Sequence, residues 1–335
     1  MKQIFSLFFC CVLLLLTLSS CAEKTDAPAT LTAKPLFRLT LPQGAGEKMR
    51  TWFFPQSSGF LYLHPTEDGF SGGFVSPLRS ISSEAIIDGT GDLKDVVAWE
   101  TASDRAIIAS PDFLAPTLLN EGSSSVSELP ERFGVEEVYP FDATSFLAKH
   151  GSLLLKIPAN LEDAFVLADT GALPDFVKPV AISDGGKKIY YATGKDGAFD
   201  GIAFFEYGKN LPLGTQSFSF DAVQTLPGGA ILMQNDTSFT FLDPESDLRR
   251  DIRLTGAVRG ATASPSGALL VTLEHTDAGD SFSVYDFATG AQRATIPLPD
   301  AVACPQFSLS ERTLFFAVDT GDGLIFHTAD LSEIL

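Results

Sequence analysis

Residues Ala261–Leu298 read ATASPSGALLVTLEHTDAGDSFSVYDFATGAQRATIPL and give the clearest indication of the architecture. It predicts a strand that ends before Ser264, then a Ser-Pro-Ser-Gly turn and a strand over 268–273. A polar loop follows, and then come two strands over 281–286 and 294–298, separated by a second turn. Four short strands within about 40 residues, with turn chemistry between them, are typical of one blade of a β-propeller.

The first turn of this stretch recurs along the chain, and an apolar strand follows each copy. The copies are Ser58-Gly59, Ser103-Asp104, His150-Gly151, Asp184-Gly185, Gly228-Gly229, Ser266-Gly267 and Ser310-Glu311. Successive copies lie 34–47 residues apart, close to a usual blade length of about 43 residues. We therefore predict an all-β propeller of seven blades, each with four antiparallel strands. The alternative is six blades with one turn misassigned in the irregular region 110–150, where we expect a long loop or an enlarged connection.

A second landmark is an aspartate at the end of the predicted third strand. It occurs at Asp169, Asp243, Asp286 and Asp330. An aspartate in front of a turn accepts backbone N–H hydrogen bonds, which is a structural role. Both landmarks resemble the turns of WD40-like and bacterial PD40/YVTN-type propellers, whose blades carry Ser-Pro-Asp-Gly-like and Asp-x-x-Thr-Gly-like sequences. The resemblance is clear from Val180 onward, and it implies an architecture but no activity.

The ring needs a strand from elsewhere in order to close. Only three strands are predicted for the last blade, over 303–308, 313–318 and 324–328. Without a fourth strand, the last sheet would keep an open edge. The segment FRLTLP at 37–42 resembles the fourth strand of the preceding blade, QRATIP at 292–297. We therefore predict that residues 36–41 pair with the final blade.

The N-terminus has the pattern of an export signal. Met1-Lys2 supplies one positive charge, and the apolar run over 4–18 is short for a membrane span. The run ends in Leu18-Ser19-Ser20-Cys21, which resembles the lipobox of bacterial lipoproteins. This resemblance implies that the leader is removed and that Cys21 receives a diacylglycerol thioether, with acyl chains such as palmitate. Two or more acyl chains anchor a protein stably in a bilayer.

These patterns divide the chain into three parts. We predict a signal peptide over 1–20, a lipidated Cys with a flexible tether over 21–35, and a β-propeller domain over 36–335. The tether is small, polar and broken by Pro28 and Pro35. Ala22 follows the cysteine where an Asp would favour inner-membrane retention, so the same resemblance implies the outer membrane, at its periplasmic or surface face, if the cell is Gram-negative.

The cysteines and the net charge limit the disulfides and the classes of partner that we expect. Cys10 and Cys11 leave with the leader and Cys21 carries lipid, so Cys304 remains and no intrachain disulfide is expected. Cys304 lies in an apolar run and is interpreted as a buried, inert thiol. The formal charge of −19 becomes −20 (22 − 42) without Lys2. This charge argues against nucleic-acid backbones as partners and favours basic surfaces or cation-bridged ligands.

The sequence predicts no catalytic, cofactor-binding or metal-binding residues. The four histidines are not spaced as metal-ligand pairs: His64, His150, His275 and His327. Asp-Gly clusters at 88–92, 196–200 and 319–323 lack the alternating ligands and distal Glu of a calcium loop, and we interpret them as turns. Trp52 and Trp99 are expected to pack between sheets on innermost strands.

The function expected from these patterns is that of an exported, lipid-anchored envelope lipoprotein with a binding or scaffold propeller and no catalysis. Its partners would be the bilayer, through Cys21, and a protein or an extracytoplasmic ligand. One alternative is a propeller hydrolase or lactonase with its site at the central channel. The other is a sensor of a small sugar or peptide ligand. Three or more convergent Asp, Glu or His side chains at the channel would favour the enzyme.

Overall fold

The computed structural model describes residues 27–40, 49–76, 81–207, 212–256, 258–276, 279–298, 306–308, 310–320 and 323–335. In these ranges the chain is built from 30 β-strands and a few short 3₁₀ turns, with no α-helix. No helix in them is long and apolar enough to cross a membrane. The predicted signal peptide, Cys21 and Cys304 lie outside the described residues.

The strands form seven sheets, which we number as blades in chain order. The N-terminal strands are β1 (Ala29–Thr30) and β2 (Lys34–Thr40). Blade 1 contains β3 (Arg50–Phe54), β4 (Gly59–Pro65), β5 (Phe70–Ser76) and β6 (Ile81–Gly89). Blade 2 contains β7 (Val97–Ala102), β8 (Arg105–Ala109), β9 (Phe113–Leu118), β10 (Ser123–Ser124) and β11 (Ser127–Glu128). Blade 3 contains β12 (Glu137–Pro140), β13 (Ser145–His150), β14 (Leu153–Pro158) and β15 (Phe165–Asp169).

The remaining blades follow the same order. Blade 4 contains β16 (Phe176–Ser183), β17 (Lys188–Lys195), β18 (Ala198–Glu206) and β19 (Pro212–Phe220). Blade 5 contains β20 (Ala222–Thr225), β21 (Ile231–Asn235), β22 (Ser238–Asp243) and β23 (Leu248–Arg253). Blade 6 contains β24 (Val258–Ala263), β25 (Leu269–Thr276), β26 (Gly279–Asp286) and β27 (Gln292–Pro297). Blade 7 contains β28 (Gln306–Phe307), β29 (Thr313–Asp319) and β30 (Gly323–Asp330). The 3₁₀ turns are Leu93–Asp95, Glu131–Phe133, Thr170–Ala172 and Asp184–Gly186.

The predicted closure of the ring is confirmed. β2 pairs antiparallel with β30 and supplies the fourth strand of blade 7, with Phe37 opposite Phe326 and Leu39 opposite Leu324. The rings of Phe37 and Phe326 stack with their centroids 6.4 Å apart. Both ends of the propeller therefore share one sheet.

Strands of the propeller occur before the predicted domain boundary at residue 36. β2 starts at Lys34, and β1 pairs in parallel with β27 as a fifth strand on blade 6. Leu31, between the two strands, is 8% exposed and packs into the apolar cluster between blades 6 and 7. Residues 29–35 thus belong to the propeller, because main-chain pairing and an apolar contact hold them there.

Six of the seven predicted turns lie between the first and second strands of their blades. The prediction for His150-Gly151 is wrong, because it connects β13 and β14, the second and third strands of blade 3. The first turn of that blade is 141–144, where the Asp142 side chain accepts a hydrogen bond from the Thr144 N–H at 2.7 Å. The predicted long connection in 110–150 is confirmed: residues 119–136 carry β10, β11 and a 3₁₀ turn.

The turn aspartates have the predicted structural role. Asp243, Asp286 and Asp330 accept backbone N–H bonds from residues two positions later, at 2.9–3.1 Å. Asp286 also accepts from Thr289 and Arg293; burial opposes its charge, but these bonds lower its pKa to about 2. Asp169 makes the same kind of bond at 2.9 Å, although it ends the fourth strand of blade 3 and not the third.

The core lies between the blades. Seven clusters of buried apolar side chains each join two neighbouring blades, one for each seam of the ring. The cluster at the closure contains Phe60 and Tyr62 of blade 1 with Phe315 and Phe326 of blade 7. Burial of each such side chain is worth roughly 1.5–3 kcal/mol. Side-chain packing therefore stabilises the closed ring in addition to the strand pairing.

The strand order defines two faces. The first strands of neighbouring blades contact one another, so they surround the central axis. Because each blade is an antiparallel meander, its first and third turns lie at one end, which we call the upper face. The second turns and the connections between blades lie at the other end, the lower face.

Candidate functional site

The residues that the sequence singled out are not brought together. The histidines lie on blades 1, 3, 6 and 7. Among the residues that the structure describes, no group of three or more His, Cys, Asp or Glu side chains could hold a metal ion. Asp196 and Gly197 have φ of 53° and 83° in the second turn of blade 4, which fits their interpretation as turn residues.

Trp52 and Trp99 pack between blades, as predicted. Trp52 contacts the cluster between blades 1 and 2, and Trp99 contacts the cluster between blades 2 and 3. The Trp99 indole N–H also donates to the Asp142 carbonyl oxygen at 3.2 Å, across the seam to blade 3. Both rings are partly buried and contribute to the packing of their seams.

The lower face carries two open cavities. One, of about 620 Å³, lies between the connections of blades 1 and 2 and has a largely acidic rim that includes Asp112, Glu128 and Glu131. The other, of about 680 Å³, lies beside the 3₁₀ turn Leu93–Asp95. Some of their polar residues stabilise the local backbone, since the Asp92 side chain accepts a hydrogen bond from the Lys94 N–H at 3.0 Å.

The upper face carries a cavity of about 350 Å³ at the seam of blades 3 and 4, which we call the aromatic cleft. Its lining residues are Phe141, Lys156, Phe165, Leu167, Gly185, Gly186, Lys187 and Tyr207. Phe165 and Leu167 both reach it from β15, whose pairing with β14 shifts register between Val166 and Ala168. Tyr207 directly follows β18, and the two glycines form the first turn of blade 4.

Glycine at the first turn of blade 4 allows the two blades to approach. Gly185 and Gly186 have φ of 62° and 89°, a region that L side chains rarely adopt. A Cβ on Gly186 would lie 3.3 Å from the Phe141 ring. The turn therefore packs on the aromatic ring and forms one wall of the cleft.

The cleft and its edge expose large apolar side chains. Phe165, Val166 and Tyr207 are 51%, 58% and 54% exposed. They are three of the five exposed large hydrophobic residues in the described ranges; the others are Val126 and Leu335. A cluster of this kind marks an interaction surface more often than an ordinary patch of a monomer.

A lysine is fixed at the mouth of the cleft. The Lys156 ammonium lies 4.4 Å from the centre of the Phe141 ring and 3.2 Å from Asp142 Oδ2. The other oxygen of Asp142 accepts from the Thr144 hydroxyl at 2.9 Å and from the Ser145 hydroxyl at 2.8 Å. Burial opposes the Asp142 charge, but these bonds outweigh it and hold the pKa of Asp142 below its ordinary value.

The segment that supplies most of the cleft is nearly balanced in charge. Residues 145–209 contain seven Lys and eight Asp or Glu, a net charge of −1, which leaves −18 for the rest of the chain (−19 + 1). Lys187 lines the cleft, and the Lys188 ammonium lies 5.7 Å from the centre of the Phe204 ring nearby.

Sequence reasoning missed this site. Two signals were present: the run of lysines over 149–209, and the apolar pair Phe165-Val166 at the start of an outermost strand. The exposure of that pair and its proximity to Tyr207, which lies on the next blade, depend on how the blades pack. No local motif records such a contact.

Comparisons with known proteins support the fold. No family model matches the sequence, and no curated protein matches it. A structure of oligogalacturonate lyase in complex with manganese matches with a TM-score of 0.60 and 13% identity, over 91% of this chain and 99% of that one. Oligogalacturonate lyase from Vibrio parahaemolyticus matches with a TM-score of 0.59 and 12% identity, over 92% of this chain and 100% of that one. The Cps50 (Swd1) propeller domain from Myceliophteria thermophila matches with a TM-score of 0.58 and 10% identity, over 88% of this chain and 99% of that one.

At these identities the likeness shows the fold alone, because one propeller fold serves many unrelated functions. The sheets, the seven seams and these comparisons define the class: the chain is a seven-bladed β-propeller with WD40-like architecture.

Proposed function

We propose that this chain is a lipid-anchored propeller of the bacterial cell envelope that binds a partner protein and catalyses no reaction. The observation that carries the proposal is the aromatic cleft with its exposed Phe165 and Tyr207, beside which Val166 is also exposed. Exposed aromatic side chains grouped around a cavity are the usual centre of a protein interface. Water leaves these surfaces when a partner covers them, which is the main favourable term in association.

The composition of the cleft suits a protein side chain. Its volume of about 350 Å³ can take one large side chain, and its walls are rings and a glycine turn. Lys187 and the ion pair of Lys156 with Asp142 make the rim polar, and polar groups at a rim mainly set orientation and specificity. An apolar floor with a charged rim is the common anatomy of a transient interface.

The envelope part of the proposal rests on the N-terminal sequence. The apolar run that ends in Leu18-Ser19-Ser20-Cys21 supports export and acylation of Cys21. Ala22 supports the outer membrane if the cell is Gram-negative. A binding propeller held at a membrane would present its cleft to proteins of the same compartment.

Site-specific photocrosslinking tests the binding proposal. A benzophenone amino acid replaces Tyr207 in the full chain, in the cells that produce it, and the cells are irradiated. We expect one discrete protein adduct, because a bound partner would lie within reach of this position. The matched control replaces Val126, which is 50% exposed on the lower-face connection between blades 2 and 3.

Two outcomes would contradict the proposal. One is the absence of any protein adduct at position 207, which would favour a small sugar or peptide ligand. The other is the same set of adducts at positions 207 and 126, which would indicate random collision. A Phe165→Ala change made together with the position 207 probe should weaken the adduct several-fold, as expected for loss of a buried aromatic contact.

The enzyme alternative has its own test. Two similar structures are oligogalacturonate lyases, and one of them is in complex with manganese. The purified chain is incubated with oligogalacturonate and Mn²⁺, and the chain length of the saccharide is followed. Shortening at a catalytic rate would replace the binding proposal with an enzymatic one; an unchanged saccharide agrees with it.

A further inference from the structure

The first two strands of the propeller lie across its closing seam. β1 covers the outer edge of β27 in blade 6, and β2 is the outer strand of blade 7. Residues 29–40, which we call the strap, therefore join these two blades. Leu31 lies between the two strands, and its N–H donates to the Thr295 carbonyl oxygen at 2.9 Å.

The strap has few buried anchors. Leu31 and Leu39 are 8% and 7% exposed, whereas every other residue of β1 and β2 is partly or fully exposed. Pro35 weakens the pairing of β2 with β30, because proline has no N–H and the register shifts between Pro35 and Phe37. Five of the eight residues of β30 are buried. An edge segment with so few anchors opens at a lower free energy than the sheet to which it is attached.

A histidine without a hydrogen-bond partner lies next to the strap. His327 is 7% exposed, and neither of its ring nitrogens has a hydrogen-bond partner among the described residues. It lies opposite Pro35 in the pairing of β30 with β2. Its ring is stacked on Phe316, with the two planes at 7°. Because nearly all buried polar groups in proteins are hydrogen-bonded, this ring is an exception that requires an explanation.

The His327 ring lies on the side of blade 7 that faces blade 6. Phe316, on which it stacks, and Ala329, two residues further along β30, both belong to the apolar cluster between these blades. Alternate residues of a strand point to the same side. Leu31 belongs to the same cluster, and Ala33 packs against it. The strap therefore covers the outer end of the cluster that holds the ring.

The surroundings of His327 do not stabilise a protonated ring. Burial lowers its pKa, and no charge among the described residues contributes to that shift. The charged or titratable residues on the strands of this seam are Lys34 and Arg38 of β2, Glu274 and His275 of β25, Asp280 and Asp286 of β26, Arg293 of β27, Asp319 of β29 and Asp330 of β30. Proton uptake in the closed form therefore costs free energy, and opening of the strap would recover it by admitting water to the ring.

We propose that acid releases the strap: below about pH 6.5, proton uptake by His327 frees residues 29–40 from blades 6 and 7 while blades 1–5 stay folded. The buried clusters of the five seams between blades 1 and 6 contain no strap residue, so their packing does not depend on it. With Cys21 acylated, release would add the strap to the tether. Release of the strap is independent of what the aromatic cleft binds.

Hydrogen exchange of the purified full chain, followed by mass spectrometry, tests the release. Exchange is compared at about pH 7.5 and about pH 5.5, on either side of the ordinary pKa of histidine, and each rate is divided by the intrinsic rate at that pH. An opened histidine has that ordinary pKa, so the open population should rise by up to about tenfold over this interval. We expect the amides of residues 29–40 to exchange faster by that factor, without a comparable change in blades 3–5.

Substitutions at His327 show whether this residue takes up the proton. His327→Phe keeps a ring against Phe316 but cannot titrate, so the acid-dependent acceleration should disappear. His327→Leu is a second variant that cannot titrate, and it should behave in the same way. His275→Gln is the matched control, because His275 is exposed, and it should keep the acceleration in full.

Leu31→Ala shows whether the strap opens as a unit. It removes a buried side chain of the strap and leaves His327 in place, so opening should increase at least about tenfold at both pH values. The increase should be confined to residues 29–40 and to the strand edges that they cover. An increase of the same size in every blade would show that the strap is not a separate unit.

Three further results would overturn the inference. An equal acceleration by acid in all seven blades would mean that the whole propeller is destabilised. Acceleration that persists in both His327 variants would assign the proton to another group. Equal exchange of residues 29–40 at the two pH values in the unchanged chain would show that acid does not release the strap.

Discussion

His327 is buried in β30, the strand that pairs with β2, and the described residues offer it no polar partner. It is 7% exposed, its ring stacks on Phe316 with centroids 5.2 Å apart, and neither ring nitrogen has a hydrogen-bond partner among the described residues. A charged imidazolium would lose its hydration here, so burial lowers the pKa of His327 below its ordinary value. The folded chain therefore holds this ring neutral.

Because His327 is held neutral, we expect the folded chain to lose stability as the pH falls. An unfolded histidine gains its proton near pH 6.5, while the folded one resists protonation. Stability is complete above that pH and falls as the pH drops towards the folded-state pKa, by at most about 1.4 kcal/mol for each pH unit. His327→Phe should remove this part of the slope, as measured by urea unfolding between pH 7 and pH 5.

The control for this prediction is His275→Gln. His275 is exposed and lies beside Asp280 in blade 6, so its replacement leaves the buried ring in place. The slope attributed to His327 should persist in this variant. A slope that is the same in His327→Phe as in the unchanged chain would show that other groups cause it.

At the scale of a strand, the closure depends on the buried face of β2. Leu39 is 7% exposed and packs with Phe60 and Phe326, while the next residue, Thr40, is exposed. Leu39→Ala should lower the free energy of unfolding by about 2–5 kcal/mol, because it removes buried methyl groups and leaves a cavity. Urea denaturation measures the change.

Thr40→Ala is the matched control for that substitution. An exposed strand residue away from special contacts changes stability by about 0.5 kcal/mol or less. If both alanine variants unfold at the same urea concentration, the packing of β2 contributes nothing to closure. The pairing with β30 would then have to act through main-chain bonds alone.

Neighbouring blades are also joined by polar contacts one repeat apart. Ser57 donates its N–H to Glu100 Oε1 at 2.6 Å, and the Ser266 hydroxyl donates to Glu311 Oε2 at 2.8 Å. The first bond joins blade 1 to blade 2, and the second joins blade 6 to blade 7. Each blade thus depends on its neighbour, as expected for a repeat protein.

The sequence predicts elements well where the turn chemistry is repeated, and it fails where that chemistry changes. Blade 3 makes its first turn with the Asp142 side chain, whereas the next hairpin has Gly151 with φ of 55°. A search for Gly-containing turns therefore selects the wrong hairpin. The closure strand was predictable because FRLTLP resembles a fourth strand seen in another blade.

The candidate site could not be predicted in the same way. Phe141 and Tyr207 line one cavity but lie on different blades, and their exposure depends on the packing of the seam. Periodicity indicates which side chains face a neighbouring sheet, but it does not show where two sheets leave a gap. The seven lysines of residues 145–209 are visible in the sequence, but only the fold shows that Lys156 and Lys187 line one cavity.

At the scale of the whole molecule, lipidation of Cys21 remains a prediction. Cells that produce the chain are labelled with radioactive palmitate. The unchanged protein should incorporate label and sediment with membranes, because two or more acyl chains give stable anchoring. Cys21→Ala should lose both properties while the folded domain keeps its unfolding temperature; retained label would disprove acylation at this residue.

The covering strand β1 has a consequence for how the propeller stands in its compartment. Cys21 lies eight residues before Ala29, so this part of the tether spans at most about 28 Å when extended. It departs from the rim at blade 6, and two blades lie between blades 6 and 3 along one side of the ring. With Cys21 acylated, Ala29 at blade 6 would stay within about 28 Å of the acylated residue, and blades 4 and 5 would separate blade 6 from blade 3, which forms one side of the aromatic cleft. A partner could then reach the cleft from the aqueous space.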